Sequence, residues 1–177
     1  MTPLVPHPST PETAFGVAAG VERVAGGLRF AYRLVGALDV VRIPPAVPAR
    51  RTDRLWEHTC FEAFVAQNDE PGYVELNVAP SGAWAVYGFE GYRERAADLA
   101  ADFAGEPAIE VARDTDALDV VATLSFPTSS LRVGLTAVIE RTDGRTSYWA
   151  LAHPAVRPDF HHADGFVARV PAAELRP

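Results

Sequence analysis

The sequence contains a single cysteine, Cys60, and a single methionine, Met1, among its 177 residues. One cysteine cannot form an internal disulfide, which favours a reducing compartment. No window approaches the roughly 18 uninterrupted apolar residues of a membrane-spanning helix. The first residues also lack the cationic stretch followed by an apolar run that is typical of a secretory signal. We therefore expect a cytoplasmic protein that has no membrane partner.

Basic residues are in the minority. Lys and Arg total 16 against 23 Asp and Glu, which gives a formal net charge of −7. The only basic cluster is residues 50–54, which contains three arginines. A nucleic-acid-binding domain usually carries a basic excess over a whole face. The charge pattern predicts that nucleic acid is not a partner.

Several motifs that would assign an enzyme class are missing as well. There is no glycine-rich phosphate loop, and no Gly-x-Ser-x-Gly elbow that would support a serine nucleophile. Three imidazoles and a carboxylate do occur close together, at His153, Asp159, His161 and His162. Such side chains can ligate zinc or a related ion, but their spacing fits no recognised ligand pattern, and a structural role in a long loop is the alternative. We assign no metal, no cofactor and no catalytic residue from these patterns.

Long helical runs are absent too, whereas 13 Gly and 15 Pro divide the chain into short segments. Short segments of alternating polarity between turn residues predict an all-β fold. We expect nine to eleven mostly antiparallel strands in a two-sheet, jelly-roll-like β-sandwich, formed by a single domain over residues 1–177 with an extended Pro-rich tail at residues 1–12. Residues 38–43 are expected to form a short strand, and residues 93–103 are the only segment where we allow a helical turn.

The most informative segments are residues 55–65 and 73–80, which together predict a β-hairpin with two different faces. Side chains alternate across a strand, so Phe61, Ala63 and Val65 should share an apolar face. The opposite face is unlike an ordinary solvated one, because it offers aromatic, imidazole, amide and carboxylate groups. Its members are Trp56, His58, Cys60, Glu62, Tyr73, Glu75 and Asn77. This inventory suits recognition of a small molecule; the alternative is a face whose charges only keep the sheet soluble.

The same side chains suggest which small molecule. Sugars pack their C–H faces on indole rings, and their paired hydroxyls suit carboxylates, amides and guanidinium groups. The ligand-binding candidates are therefore Trp56, Glu62, Glu75, Asn77, Trp149, Arg51 and His58. If the hairpin register placed Glu62 opposite Glu75, the pair could also perform acid–base chemistry. The alternative for each tryptophan is ordinary core packing.

These motifs resemble the DOMON-like domains related to family 9 carbohydrate-binding modules, especially the free-standing bacterial members. The resemblance is carried, in order, by residues 51–64, 75–84, 126–131, 138–144, 147–151 and 153–162. It implies a β-sandwich with a sugar site, in which Trp56 and Glu62 contribute from one strand and Trp149 completes an aromatic clamp. Related DOMON domains bind haem through Met and His, and the position of Met1 makes that ligation improbable here.

Our leading hypothesis is a non-catalytic module that binds a sugar or a sugar-derived metabolite. Two alternatives come from other classes: a metal- or carboxylate-dependent hydrolytic enzyme, and a purely protein-interaction domain. The sequence leaves the oligomeric state open.

Overall fold

The computed structural model describes residues 1–68, 70–97 and 105–173, and within these ranges β-strands dominate. The strands are β1 (Thr2–Pro3), β2 (Val5–Pro6), β3 (Phe15–Val24), β4 (Gly27–Gly36), β5 (Arg50–Arg51), β6 (Cys60–Gln67), β7 (Tyr73–Val78), β8 (Ala83–Gly91), β9 (Glu94–Arg95), β10 (Ala108–Arg113), β11 (Ala117–Ser125), β12 (Leu131–Glu140), β13 (Thr146–Ala150) and β14 (Ala168–Val170). The helices in these ranges are short 3-10 turns at Leu38–Val40, Leu55–Glu57 and Ala163–Gly165. None of the helices described is long and apolar enough to cross a membrane.

The strands form two sheets. Sheet A has five strands in the order β1-β3-β4-β11-β10. Sheet B has nine: the order β2-β13-β12-β6-β7-β8-β5, with β14 added beside β12 and β9 beside β8. Pairing is antiparallel throughout the described residues except between β5 and β8. The predicted all-β, two-sheet antiparallel sandwich is confirmed.

The core between the sheets follows from the alternation predicted for the central hairpin. Phe61, Ala63 and Val65 on β6 face sheet A and are almost fully buried. Tyr32 of β4 links the two sheets directly: its ring lies 5.1 Å from that of Phe61, and its hydroxyl donates a 2.6 Å hydrogen bond to the carbonyl oxygen of Glu62. A buried tyrosine needs such a partner for its hydroxyl, so this contact helps to set how the sheets stack.

A second cluster buries the outer face of sheet B. Phe64, Tyr73 and Phe89 project from that face and pack against Leu55 and Phe166, which belong to segments outside the central strands. Every residue of β7 is consequently buried, on both faces of the sheet. The face that the sequence identified as polar is therefore partly covered by loops, and its polar groups on β6 and β7 are buried beneath them.

Trp149 lies in the core between the sheets, so the predicted aromatic clamp of Trp149 with Trp56 is wrong. The indole is 5 % exposed, packs 5.9 Å from the ring of Phe15, and donates a hydrogen bond to Ser147. The reason is the register. Trp149 is directly opposite Ala137, and opposed residues of neighbouring strands share a face. Ala137 faces the core, and Trp149 must do so too.

Other local expectations also meet a different structure. Residues 38–43 contain the 3-10 turn Leu38–Val40 and an isolated bridge from Val41 to Arg141 instead of a strand. The Pro-rich start is extended, and it adds β1 to sheet A and β2 to sheet B. Strands β1, β2, β5 and β9 have two residues each, and with them the described ranges contain fourteen strands. Residues 94–95 form β9 where a helical turn was allowed; residues 98–103 lie outside the described ranges.

We predict that Trp149→Ala destabilises the protein by about 3–5 kcal/mol, because it removes a large buried side chain and leaves a cavity. Trp56→Ala is the matched control: that indole is 36 % exposed, and its loss should cost about 1 kcal/mol or less. Urea unfolding followed by circular dichroism measures both. Equal losses for the two variants would contradict the placement of Trp149.

Candidate functional site

A cavity of about 380 Å³ opens on the outer face of sheet B, and its walls combine aromatic with ionisable side chains. This volume falls in the range of sites that bind small molecules. The lining residues are Trp56, Glu62, Phe64, Glu75, Phe89, Arg93, Arg95, Val138, Tyr148, Pro158, Phe160 and His161.

Three parts of the chain build this cavity. The central strands provide the floor, with Glu62 on β6 and Glu75 on β7, both at outward positions of the alternation. The 3-10 turn Leu55–Glu57 brings Trp56 to one wall, where its indole meets the edge of the Tyr87 ring at 5.7 Å. The β8–β9 hairpin and the loop between β13 and β14 close the remaining sides. Residues from distant parts of the sequence thus converge on the two carboxyl groups.

Glu62 is the more deeply buried of the two acids, with 3 % exposure. Its Oε2 accepts a 3.1 Å hydrogen bond from the hydroxyl of Thr136 on β12. Burial, and secondarily the charge of Glu75, raise the pKa of Glu62 to about 8, against the weaker opposing effect of the Thr136 bond. Glu62 is therefore protonated at neutral pH and can donate a hydrogen bond.

Glu75 differs from Glu62 because several of its neighbours oppose the effect of burial. Its Oε1 accepts a hydrogen bond from the side-chain amide of Asn77, whose own oxygen lies 3.4 Å from the Cys60 sulfur. Burial raises the pKa of Glu75, while the Asn77 bond and the positive charges of Arg95 and Arg93 oppose that rise. The contacts that favour an ionised carboxylate are therefore found at Glu75, whereas Glu62 has, within the described ranges, only the hydrogen bond from Thr136.

His161 faces Glu75 from the loop that covers the sheet. Burial and the positive charge of Arg93 lower the pKa of His161 to about 4, although Asp159 opposes the shift. The imidazole is therefore neutral at pH 7. Its Nδ1 lies 2.7 Å from the hydroxyl of Tyr73, and that hydroxyl accepts the backbone N–H of Arg93 at 3.1 Å. In the tautomer that carries its hydrogen on Nε2, His161 accepts the tyrosine proton at Nδ1, and Nε2 lies 3.8 Å from Oε2 of Glu75.

Two arginines on the β8–β9 hairpin have different partners. Arg93 forms a 3.0 Å ion pair with Asp159, which also accepts a 2.7 Å hydrogen bond from Tyr92. These bonds fasten the hairpin to the covering loop, and they accompany a left-handed backbone at Arg93, with φ of 58°. Arg95 lies over the Tyr87 ring, 3.9 Å from its centre, and makes no ion pair within the described residues. Arg95 is thus the guanidinium that a ligand in the cavity can engage.

Three of the predicted residues line the cavity: Trp56, Glu62 and Glu75. Asn77 is fully buried beneath it and acts on Glu75. The conditional expectation that Glu62 lies opposite Glu75 is wrong, because the register pairs Glu62 with Asn77 and Phe64 with Glu75. The two acids are diagonal neighbours on adjacent strands and still share the cavity.

Arg51 and His58 lie outside the cavity walls. Arg51 pairs with Asp53 at 3.5 Å on the edge strand β5. His58 follows the 3-10 turn Leu55–Glu57 and is not part of the strand β6. Its Nδ1 lies 2.8 Å from Oε2 of Glu140, away from the cavity. Their predicted role in this site therefore fails on geometry.

Several wall residues were missed by the sequence reasoning. Tyr148 precedes Trp149 on β13, so the alternation that places Trp149 in the core places Tyr148 outward. The outward position of Tyr148 could therefore be predicted only after the register had fixed the face of Trp149. The chain reverses between β8 and β9, and this reversal brings Phe89, Arg93 and Arg95 to the cavity. No local sequence pattern predicts the reversal.

The histidine group that suggested a metal does not converge. His153 Nε2 lies 2.8 Å from the carbonyl oxygen of Val5, and His162 Nδ1 accepts the backbone N–H of Asp164 at 3.3 Å. His161 is committed to Tyr73. Across residues 1–68, 70–97 and 105–173, no group of three or more His, Cys, Asp or Glu side chains is arranged to hold a metal ion.

We predict that the protein loses stability as the pH rises from 6.5 to 8. In this window unfolded Glu62 is ionised while folded Glu62, with a pKa of about 8, retains its proton. Stability then falls by up to about 1.4 kcal/mol per pH unit. His161, with its pKa lowered to about 4, acts in the opposite sense but only below about pH 6.5.

The variant Glu62→Gln mimics the protonated acid and should remove most of that decline. Glu110→Gln, on an exposed position of β10, should retain it. Urea unfolding at pH 6.5, 7.2 and 8.0 compares the three proteins. A wild-type profile that is flat, or a decline that persists in Glu62→Gln, would contradict the buried neutral acid.

Comparison with known proteins supports the fold. No protein-family model matches the chain, and no curated protein sequence matches it significantly. A crystal structure named as that of a "putative carbohydrate-binding protein" from Bacteroides uniformis superposes with a TM-score of 0.71 at 17 % sequence identity. The superposition covers 96 % of this chain and 84 % of that one. At this identity the likeness is one of fold.

Proposed function

We propose that the protein binds a sugar or sugar-derived metabolite in the cavity of sheet B. The observation that carries this proposal is the composition of the walls. An indole and several phenyl rings surround two carboxyl groups and the guanidinium of Arg95, which has no ion pair in the part of the chain that the structure describes. The carbohydrate-binding name of the structural neighbour gives independent support.

The hydrogen-bond donors, acceptors and ring surfaces of the cavity suit a polyhydroxylated ligand. Glu62 in its protonated form can donate to one hydroxyl, and the carboxyl oxygens of Glu75 can accept from others. Arg95 adds several N–H donors in a fixed plane, held against Tyr87. Trp56 and Tyr148 offer ring surfaces at the walls for the C–H face of a sugar ring.

The size of the site favours a small ligand. The cavity is bounded by the β13–β14 loop as well as by the strands, through Pro158, Phe160 and His161. An extended polymer needs an open groove along a sheet, whereas a cavity of about 380 Å³ suits a single small molecule.

We further propose that the protein is a cytoplasmic bacterial relative of the DOMON-like domains, on the motifs given above.

A panel of neutral and acidic mono- and disaccharides, tested by isothermal titration calorimetry, examines this proposal. We expect at least one to bind with a dissociation constant below the millimolar range. Failure of every sugar at millimolar concentrations would contradict the proposal and favour the protein-interaction alternative.

Two arginines provide a matched pair for locating the site. Both guanidinium groups lie near the Tyr87 ring, Arg95 at 3.9 Å and Arg51 at 5.5 Å from its centre, but only Arg95 lines the cavity. Arg95→Gln should weaken binding of the sugar identified above by about 10- to 100-fold, the loss of a charge-assisted hydrogen bond. Arg51→Gln should leave the affinity within about twofold. An equal effect of both variants would place the ligand elsewhere.

A further inference from the structure

We propose that the site also acts on its ligand, and that it catalyses the interconversion of the two anomers of a reducing sugar with Glu62 as general acid and Glu75 as general base. This inference rests on the sugar binding proposed above. It goes beyond binding because it assigns a reaction to the two buried carboxyl groups.

Binding alone does not require two buried acids. Asn and Gln side chains supply the same donors and acceptors for hydroxyl groups without a titratable proton. Glu62 and Glu75 are both almost completely buried in one cavity, and burying ionisable groups costs free energy unless they are neutralised or paired. Clusters of such groups are typical of sites where protons are transferred.

The surroundings of the two acids suit them to opposite roles. Glu62 is almost completely buried and has no cationic hydrogen-bond partner among the described residues, which suits a proton donor. The hydrogen bond that it accepts from Thr136 opposes this effect more weakly. Glu75 receives the Asn77 amide and lies near the charges of Arg93 and Arg95, which suits a proton acceptor. The raised pKa of Glu62, about 8, agrees with this division.

Anomer interconversion requires an acid and a base and no further reactant. Glu75 removes the proton from the anomeric hydroxyl, Glu62 donates its proton to the ring oxygen, the bond from C1 to the ring oxygen breaks, and the carbonyl forms at C1. After rotation about the C1–C2 bond, the former ring oxygen, now a C4 or C5 hydroxyl, attacks the opposite face of C1. This hydroxyl returns its proton to Glu62. The proton held by Glu75 passes to the new anomeric oxygen, so both acids regain their starting states.

Polarimetry of freshly dissolved single anomers tests the inference, with the reducing sugars that calorimetry shows to bind. We expect the protein to accelerate the approach to equilibrium in proportion to its concentration. Glu62→Gln and Glu75→Gln should each lower this acceleration by at least about 100-fold, the usual contribution of a positioned acid or base. Glu110→Gln, on exposed β10, is the control and should retain the full rate.

Binding measured on the same variants separates this inference from the proposed function. A loss of rate in Glu62→Gln with affinity preserved within about tenfold supports a catalytic role. Sugar binding without any acceleration by the wild-type protein overturns the catalytic inference and leaves the binding function standing. If no sugar binds, both are overturned.

A second measurement needs no variant. The methyl glycoside of the same sugar lacks the anomeric hydroxyl proton, so it should bind without reacting and should inhibit the acceleration competitively. Acceleration that persists at saturating methyl glycoside would place the reaction outside this cavity and overturn the assignment.

Discussion

The burial of strands β6 and β7 on both faces is the constraint on which the rest of the structure depends. One face supplies the core between the sheets, with Phe61 as a fully buried member. The other carries Glu62 and Glu75, which cannot be enclosed without partners. Thr136 and Asn77 provide those partners from positions beside the acids in the same sheet.

The covering segments complete this arrangement. A sheet face that carried only carboxyl groups would remain open to water, whereas the apolar cluster around Phe64 and Phe166 holds the β13–β14 loop over it. The ion pair of Arg93 with Asp159 fastens the β8–β9 hairpin to the same loop. Burial, aided at His161 by the charge of Arg93, keeps Glu62 and His161 neutral, and these protonation states give the cavity its donors and acceptors.

The alternation of the central hairpin could be predicted with good accuracy, because the period of two is a property of the strand itself. It correctly separated Phe61 from Glu62 and placed Glu62 and Glu75 on one side. Trp56 also lines the cavity, but it does so from the 3-10 turn Leu55–Glu57 and not from the predicted strand. The prediction that Trp149 faces the ligand was wrong because the face of this residue depends on which residue of β12 lies opposite. A shift of one residue in the register reverses the face. The sequence pattern contains the alternation within β13 but not its register.

The sequence by itself determined the all-β class, the two-faced hairpin and the identity of the acids, since these follow from local periodicity and residue chemistry. Only the tertiary structure decided that the polar face is enclosed, that Glu62 lies diagonal to Glu75, and that Arg95 and not Arg51 reaches the cavity. The physical reason is that these features depend on contacts between segments far apart in the chain. Burial, and with it the protonation of Glu62, is set by how those segments pack together.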